Sequence, residues 1–382
     1  MLRVPPPFDA WVISRYDDVK RALNNHETFS SRVPAPPWFI FFDPPVHTKL
    51  RALISRAFTP RMISGLEPRV RRLSRELLAK TEGLTEIDLA SEYSVPLAMQ
   101  IIGGMIGIPA EDWARFRQWS DTILTISYSR SGGEEAERSL SNFRAVTAEM
   151  NDYLGGMIAA RHSRPEDDLL TALITAEVDG ERLSQQEILG FFQLLIVAGQ
   201  ETTANLIANA MLCLMEHPEQ LARLRATPEL LPSAIEEVLR YRSPFQWLMR
   251  TPRRDIELHG QTIPVGKLLL CIVGAANRDE RQFADAHVFD IGRDPNPHIA
   301  FGHGIHFCLG AALSRLEAKI ALEDLLAYFG HFEPVDDRPW PPRQALNVHG
   351  PASLPIRFGK MAGSNARTPG SNSLPQVSPR PA

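Results

Sequence analysis

The chain has 382 residues, of which 44% are hydrophobic and 23% charged, and its formal net charge is −4. These values are ordinary for a globular protein with a large core, and they give no reason to expect a nucleic-acid partner. Three scattered cysteines, Cys213, Cys271 and Cys308, make no disulfide framework and favour a reducing compartment. Residues 1–8 contain no apolar signal core, and the apolar run at 189–199 is too short to cross a bilayer. We therefore expect a cytoplasmic protein with no membrane contact.

The first two thirds of the chain predict mostly helices. A strand pattern at 10–14 is followed by a helix pattern at 17–25 that ends at two asparagines. A Pro-rich loop at 31–45 then carries an aromatic run at 38–42, which we expect to be exposed. From residue 46 to about residue 242, helical patterns dominate, and prolines and a Gly-Gly pair mark the breaks between them.

The last third changes character. Two strands with glycines at their turns are predicted within 255–273, and a helix is predicted at 311–326. Short strands and Pro-rich turns are expected over 331–358. The Ser- and Pro-rich stretch 361–382 cannot bury much surface, so we expect disorder there. These patterns favour a mainly α fold with small β-sheets in a single domain over 1–360.

One motif stands immediately before the helix at 311–326. Phe301, Gly304, Cys308 and Gly310 follow the spacing Phe-x-x-Gly-x-x-x-Cys-x-Gly. Backbone N–H groups at a helix start can hydrogen-bond a sulfur atom, and the positive helix end favours its anionic form. Glycines let a flat ligand approach the backbone closely. The pattern suits a single thiolate bound to a metal, the ligand type that steers haem iron toward O–O cleavage. The alternative is a small buried hydrophobic side chain.

On this motif the chain resembles the cytochrome P450 family in its soluble bacterial form, from about residue 11 to about residue 358. The resemblance implies a cytochrome P450-like fold in which haem b (iron protoporphyrin IX) lies between two parts of the chain. On the distal side is a long, kinked helix, and on the proximal side are the turn that carries the cysteine ligand and the helix after that turn. The resemblance also implies that Cys308 is the iron ligand and that Phe301 and Gly302 contact the cofactor.

A second motif, Ala198-Gly-Gln-Glu201-Thr202-Thr, interrupts an apolar helical pattern. Glycine weakens a helix, and threonine can bond back to a carbonyl, so a local groove could open for dioxygen and a water molecule. An acid beside an alcohol can relay protons. The alternative is a kinked core helix with a solvated Glu. The resemblance implies that Glu201 is the proton-relay acid, Thr202 the oxygen-binding alcohol, and Ala198 a haem contact.

Cationic side chains predict a binding site for carboxylates. His47 and Arg51 are four residues apart after an Asp-Pro-Pro sequence, so they project from one helix face. Arginine can grip a carboxylate with two hydrogen bonds. A lone His-x-x-x-Arg is ordinarily just a solvated helix face. The resemblance implies that both residues, with Arg250 and His306, bind the haem propionates.

A third pattern, Glu237-x-x-Arg240, places an acid and a base on one helix face. Glu236 could equally pair with Arg240 at i+4, and a surface ion pair is the ordinary interpretation of such a motif. The resemblance implies a structural cluster of Glu237, Arg240 and Arg293 that holds the loop presenting the thiolate.

The region 49–80 holds nine basic residues and two acidic ones. It predicts either a solubilising surface or a docking face for an acidic electron carrier of the ferredoxin or flavodoxin type. Two departures from the family pattern concern the pocket. The helix that usually precedes the strand at 10–14 is missing from the chain given, and the loop at 29–43 is short. We therefore expect a more open or differently covered site.

Apolar residues around these motifs predict either a distal pocket or ordinary core. The candidates are Leu194 and Leu195, with Ala198, and Phe245, Trp247 and Leu248. A pocket of this kind favours a hydrophobic organic molecule.

The resemblance implies a monooxygenase that inserts one oxygen atom from O2 into a C–H bond of a hydrophobic small molecule, with electrons from NAD(P)H through a carrier protein. Two alternatives stay open. A peroxide-driven haem peroxygenase needs no carrier, and the acid-alcohol pair argues against it. A haem-binding sensor or carrier without catalysis needs neither a proton relay nor a docking face.

Overall fold

The computed structural model describes residues 1–6, 8–33, 36–130, 132–336, 338–343 and 345–361. The prediction of disorder for 361–382 falls, apart from Met361, outside these residues. The regular elements of the described part confirm a mainly helical fold with small sheets.

The helices are α1 (Tyr16–Asn24), α2 (Val46–Ala57), α3 (Pro60–Gly65), α4 (Glu67–Ala79), α5 (Val95–Ile106), α6 (Trp113–Leu124), α7 (Gly133–Ser163), α8 (Leu169–Thr175), α9 (Gln185–Glu216), α10 (Pro218–Ala226), α11 (Leu231–Tyr241), α12 (Val273–Ala276) and α13 (Ala311–Tyr328). The strands are β1 (Leu2–Val4), β2 (Ala10–Ile13), β3 (Phe29–Ser30), β4 (Glu86–Asp88), β5 (Glu177–Val178), β6 (Glu181–Arg182), β7 (Trp247–Pro252), β8 (Ile256–Leu258), β9 (Gln261–Ile263), β10 (Leu268–Ile272), β11 (Phe329–Pro334) and β12 (Pro355–Lys360).

The long helix α9 is the centre of the main core. Ser184 caps its start by accepting from the backbone N–H of Glu187, whose side chain accepts from the N–H of Ser184 in return. Most residues of α9 are buried, as expected for a helix that is apolar on nearly all sides. It packs against α5, α6, α7 and α13. The helix that follows the Cys308 motif therefore lies directly against the helix that carries Glu201 and Thr202.

Two small sheets flank the helices. The larger has the strand order β1-β2-β10-β7-β3, with β2 and β10 parallel and the other pairs antiparallel. It fixes Arg250 on β7, opposite Leu269 on β10. The smaller has the order β11-β12-β4, and β5-β6 and β8-β9 form separate two-stranded pairs. The two strands predicted within 255–273 are β8 and β10, and the structure adds β9, which pairs with β8.

The aromatic run 38–42 is not exposed, which corrects the prediction. Trp38 and Phe39 are each only 6% exposed. The indole Nε1 of Trp38 donates to Oε1 of Gln193 on α9 at 3.0 Å, and its ring meets Phe143 on α7. Much of the surface that covers this run comes from α7 and α9, which lie more than one hundred residues away, so the local sequence does not predict the burial. The loop closes onto α7 and α9 as part of the main core.

Among the described residues, no helix is both long enough and apolar enough to cross a bilayer.

Candidate active site

The loop that presents Cys308 is held tightly before α13. The backbone N–H of Cys308 donates to the carbonyl of Phe301 at 2.9 Å, which closes the loop around a short helical turn at Gly304–His306. Gly304 has φ +71°, and a Cβ there would lie 3.0 Å from the backbone of Asn24. Glycine is therefore needed at this position for both its backbone conformation and its close approach to α1.

The surroundings of the Cys308 thiol act in opposite directions on its pKa. The side chain is accessible to solvent, yet protein atoms crowd it closely, and burial raises the pKa of the thiol. The backbone N–H of Gly310, the charges of Arg51 and Arg315, and the N–H of Ala311 oppose this effect. A bound metal cation would deprotonate a coordinating thiol outright. These donors and charges are those that would stabilise the resulting thiolate.

Three of the four cationic residues predicted to bind propionates are largely buried and lie close together. The ring centroids of His47 and His306 are 4.1 Å apart, and Arg250 is only 5% exposed. Burial and then the charge of Arg51 lower the pKa of His47 to about 4. Burial, then the charges of His47, Arg250 and Arg51, lower the pKa of His306 to about 2. Both imidazoles are therefore neutral at neutral pH, and an anion placed among them and the two arginines would raise both pKa values.

Unpartnered nitrogen atoms test whether haem fits this place. Nε2 of His47 and Nδ1 of His306 are buried, and no described residue is their hydrogen-bond partner. Buried polar atoms in proteins are ordinarily satisfied, so both point to a missing acceptor. Arg51 reaches the Cys308 loop, where its Nη2 donates to the carbonyl of Phe307 at 2.6 Å. A cofactor with two carboxylates beside a thiolate ligand matches this donor set.

Two residues that sequence reasoning did not assign support the cluster. The carboxylate of Asp43 accepts from the backbone N–H of Ser31 at 2.9 Å and pairs with Arg253 at 2.6 Å. The hydroxyl of Ser31 lies 2.9 Å from Nε2 of His306. Asp43 thus fixes the position of Ser31, whose hydroxyl contacts His306. The Asp-Pro-Pro sequence that begins with Asp43 was the feature of the sequence that could have indicated this role.

The acid-alcohol pair lies in the middle of α9. The Thr202 hydroxyl donates to the carbonyl of Ala198 at 2.6 Å, the back-bond that accompanies a local distortion of a helix. Glu201 is 1% exposed, and within the described part of the chain neither of its carboxylate oxygens has a hydrogen-bond partner. The nearest cationic atom is Nε of Arg343, 3.4 Å from Oε2.

Burial raises the pKa of Glu201 above its ordinary value. The charge of Arg343 opposes this, the charge of Asp121 adds to it, and Arg117 lowers it slightly. Sequence reasoning missed Arg343, since nothing in its local sequence signals an approach to α9. A cleft of about 680 Å³ opens between α6 and the C-terminal segment (341–343 and 345–352), and Glu201 lies among its lining residues.

The predicted structural cluster forms around Glu237. Nε and Nη2 of Arg240 each donate to one of its carboxylate oxygens at 2.8 Å, and Arg293 donates at 3.2 Å. Arg240 also donates to the carbonyl oxygens of Ala286 and Val288. The alternative partner Glu236 instead accepts from Arg315 on α13. The cluster therefore ties α11 to the chain that leads into the Cys308 loop.

The residues considered for substrate contact belong to different core clusters. Leu194 and Leu195 pack in or against the main core around α9. Leu248 packs against a second core beside α1, and Trp247 against a third beside β10. Phe245 forms an isolated bridge with residue 348. None of the five lines the cleft at Glu201.

Acidic partners neutralise much of the basic region 49–80. Lys49 pairs with Glu181, Arg71 with Glu323, and Arg75 with Asp324. Arg72 pairs with Glu76 within α4. Arg56 and Arg61 are exposed, and no ion pair within the described residues engages them. The net positive surface is thus smaller than the sequence count indicates.

Comparisons with known proteins agree with this geometry. The family model Cytochrome P450 matches residues 136–354. The cytochrome P450 named YjiB from Bacillus subtilis (strain 168) is 44% identical over 345 residues, which cover 88% of this chain and 87% of that protein.

Solved structures give the same result. CYP109E1 from Bacillus megaterium in complex with testosterone aligns with a TM-score of 0.84 and 38% identity, over 93% of this chain and 95% of that one. P450BioI in complex with an acyl carrier protein ligated by hexadec-9Z-enoic acid aligns with a TM-score of 0.88 and 33% identity, over 94% of both chains. The chain belongs to the cytochrome P450 family and is a haem-dependent monooxygenase of that type.

Proposed function

We propose that this protein is a haem-thiolate monooxygenase that inserts one oxygen atom from O2 into a C–H bond of a hydrophobic small molecule. Cys308 is the iron ligand. The observation that carries the proposal is the Cys308 loop, in which N–H groups and two arginines oppose the effect of burial on the thiol pKa. Beside this loop, His47 and His306 each have a buried ring nitrogen that no described residue engages.

The residues of the site hold the cofactor from several sides. His47, Arg51, Arg250 and His306 receive its two propionates. Gly302, with φ +73°, leaves space at the loop, because a Cβ there would meet only ordinary contacts at 3.6 Å or more. Phe301, Gly302 and Ala198 are the residues proposed to contact the plane of the porphyrin. The bound haem supplies the redox chemistry that activates O2 and transfers oxygen.

The chain itself supplies the path for protons. Glu201 takes a proton from the solvent side and passes it to the hydroxyl of Thr202, which can turn from the carbonyl of Ala198 to act as a donor. Because burial raises the pKa of Glu201, its carboxyl holds a proton closer to neutral pH than an exposed Glu does.

An apolar substrate is supported by the neighbours. CYP109E1 was crystallised with testosterone, and P450BioI with a fatty acyl group on a carrier protein. Both ligands are largely hydrocarbon. We extend to this chain only their shared character, that of a hydrophobic organic molecule.

Electrons reach the haem from NAD(P)H through a ferredoxin- or flavodoxin-type carrier. Arg56 and Arg61 are exposed without acidic partners in the described residues, and Arg56 is on α2, whose Arg51 bonds to the Cys308 loop. Phe307 on that loop is 42% exposed. A positive face with an apolar centre beside the thiolate suits an acidic carrier.

Turnover with a surrogate ferredoxin system separates this proposal from its alternatives. The monooxygenase needs both carrier and NAD(P)H, the peroxygenase works with peroxide alone, and a sensor or carrier forms no product. Thr202→Ala should release peroxide while NAD(P)H is still consumed, and Thr202→Ser, which keeps the hydroxyl, should restore product. Unchanged coupling in Thr202→Ala would contradict the relay.

A further inference from the structure

One cation beside the Cys308 loop has no assigned part in binding the cofactor. Arg315 is on α13, and its guanidinium carbon lies over the ring of Phe301, 4.5 Å from the ring centroid. Phe301 in turn closes the loop, because its carbonyl accepts from the backbone N–H of Cys308. The charge of Arg315, like that of Arg51, is near enough to act on the sulfur atom of Cys308. Arg51 is assigned to a propionate, whereas Arg315 is left without a function.

Glu236 fixes this cation in one orientation. Its two carboxylate oxygens accept from Nε and Nη2 of Arg315 at 2.6 and 2.7 Å, a forked geometry that only a guanidinium can form. Although burial alone would raise the pKa of Glu236, the hydrogen bonds from Arg315 and His298 lower this pKa to about 2. The carboxylate is therefore ionised at neutral pH, and its negative charge offsets part of the positive charge of Arg315.

His298 holds Glu236 from another side without adding a charge. Its Nε2 lies 2.9 Å from Oε2 of Glu236, and its Nδ1 lies 3.3 Å from the backbone nitrogen of Ala300. A backbone N–H can only donate, so Nδ1 accepts, and we assign the single ring proton to Nε2, which donates to the carboxylate. The three side chains therefore form a nearly neutral group whose positive end lies over Phe301.

We propose that Arg315 is a positioning residue that sets the reduction potential of the bound haem, and that Glu236 and His298 hold its charge in a fixed place beside the thiolate. The inference rests on the proposed role of Cys308 as the iron ligand. The electron that the carrier donates reduces ferric iron to ferrous iron, so the iron and its ligands gain one negative charge. Charges outside the ligand shell tune this step. A positive charge nearby stabilises the reduced state, and a negative charge opposes it. Arg315 thus favours reduction, and Glu236 limits that effect.

Variants at the two ends of this ion pair should shift the potential in opposite directions. The holoprotein is titrated with dye mediators and without a carrier, so that docking plays no part in the result. Arg315→Gln removes a positive charge and should lower the reduction potential, whereas Glu236→Gln removes a negative charge and should raise it. Arg315→Lys keeps the charge and should stay closer to the parent value than Arg315→Gln does. If Arg315→Gln binds no haem, the sign of the shift in Glu236→Gln decides the matter.

The matched control is the pair of Arg115 on α6 and Glu149 on α7, helices that carry no residue assigned to the haem. Nε and Nη2 of Arg115 lie 2.8 and 2.7 Å from Oε1 of Glu149, and Arg115 also lies over an aromatic ring, that of Trp119, at 4.8 Å. Arg115→Gln and Glu149→Gln should keep the parent potential.

The inference is wrong if Arg315→Gln and Glu236→Gln leave the potential as the control variants do. It is also wrong if both variants shift the potential in the same direction, since disturbed packing would then be the cause. A parent protein without the thiolate-type Soret band in its reduced, carbon monoxide-bound state would refute the proposed iron ligand instead, which separates the two claims.

Discussion

Glu237 and Glu201 are both buried carboxylates on helices, yet their surroundings are opposite. The oxygens of Glu237 accept from Arg240, Arg293 and Asn296 and from the backbone N–H of residue 290, at 2.8 to 3.2 Å. The oxygens of Glu201 accept from no group of the described protein.

The difference shows two uses of a buried charge. When fixed donors satisfy both oxygens of a carboxylate, moving or protonating that carboxylate costs much free energy. Such a carboxylate holds secondary-structure elements together. A carboxylate without such donors can exchange water, proton and partner at little loss. We therefore assign Glu237 to the support of the Cys308 loop and Glu201 to proton movement.

The largest effect on stability is expected at the filled site. Glu237→Gln leaves the buried Arg240 without its counter-charge, and breaking such a pair costs about 3–5 kcal/mol in the free energy of unfolding. Urea titration and haem content measure it. Glu236→Gln is the control. Its partner Arg315 is partly exposed and its second partner His298 is buried, so a smaller loss of about 1–2 kcal/mol is expected. An equal loss in both variants would break the comparison.

A third buried carboxyl, that of Glu317, extends the comparison between Glu237 and Glu201. Neither carboxylate oxygen of Glu317 on α13 has a hydrogen-bond partner among the residues that the structure describes, and burial raises the pKa of this carboxyl well above the ordinary value. At low pH both folded and unfolded states are protonated. As pH rises, only the unfolded state ionises, so stability is lost until the folded carboxyl ionises too.

Glu317→Gln removes this loss. We expect the variant to gain about 1–3 kcal/mol over the parent at about pH 8 and almost nothing at about pH 4, as measured by urea titration at each pH. A gain independent of pH would mean that the carboxyl is ionised in the folded protein.

A smaller effect on stability is expected at Glu201. Because its oxygens make no hydrogen bond in the described protein, Glu201→Gln should change the free energy of unfolding by less than about 1 kcal/mol while product per NAD(P)H falls. A loss as large as that of Glu237→Gln would show that Glu201 is structural.

The smallest effect on stability belongs to the exposed charges. Arg56→Glu and Arg61→Glu should leave the unfolding curve unchanged and raise the KM for an acidic carrier a few-fold, with the difference fading at high salt. Arg338→Glu is the control, since it is exposed on another segment. If all three variants raise the KM for the carrier equally, the proposed docking face is wrong.

The sequence predicts those parts of the site whose structure depends on residues close together in the chain. The Cys308 loop, its glycines and the helix after it depend on neighbours in sequence, and the structure forms them as expected. The pairing of Glu237 rather than Glu236 with Arg240 needed the structure, because both spacings share a helix face.

Contacts between distant segments were not predictable. The run 38–42 is apolar in a Pro-rich loop, and only the approach of α7 and α9 shows that it is buried. Arg343 stands in a Pro-rich stretch with no helical or strand period, so its contact with Glu201 depends on the closure of the fold. Positive charge in 49–80 was overestimated because its acidic partners come from 181, 323 and 324.

The most direct test of the account is the absorption spectrum of the reduced, carbon monoxide-bound holoprotein, recorded for the parent and for Cys308→Ser. The account predicts the thiolate-type Soret band in the parent and its absence in the variant. A parent without that band, or a variant that keeps it, would contradict the assignment of Cys308 as the iron ligand.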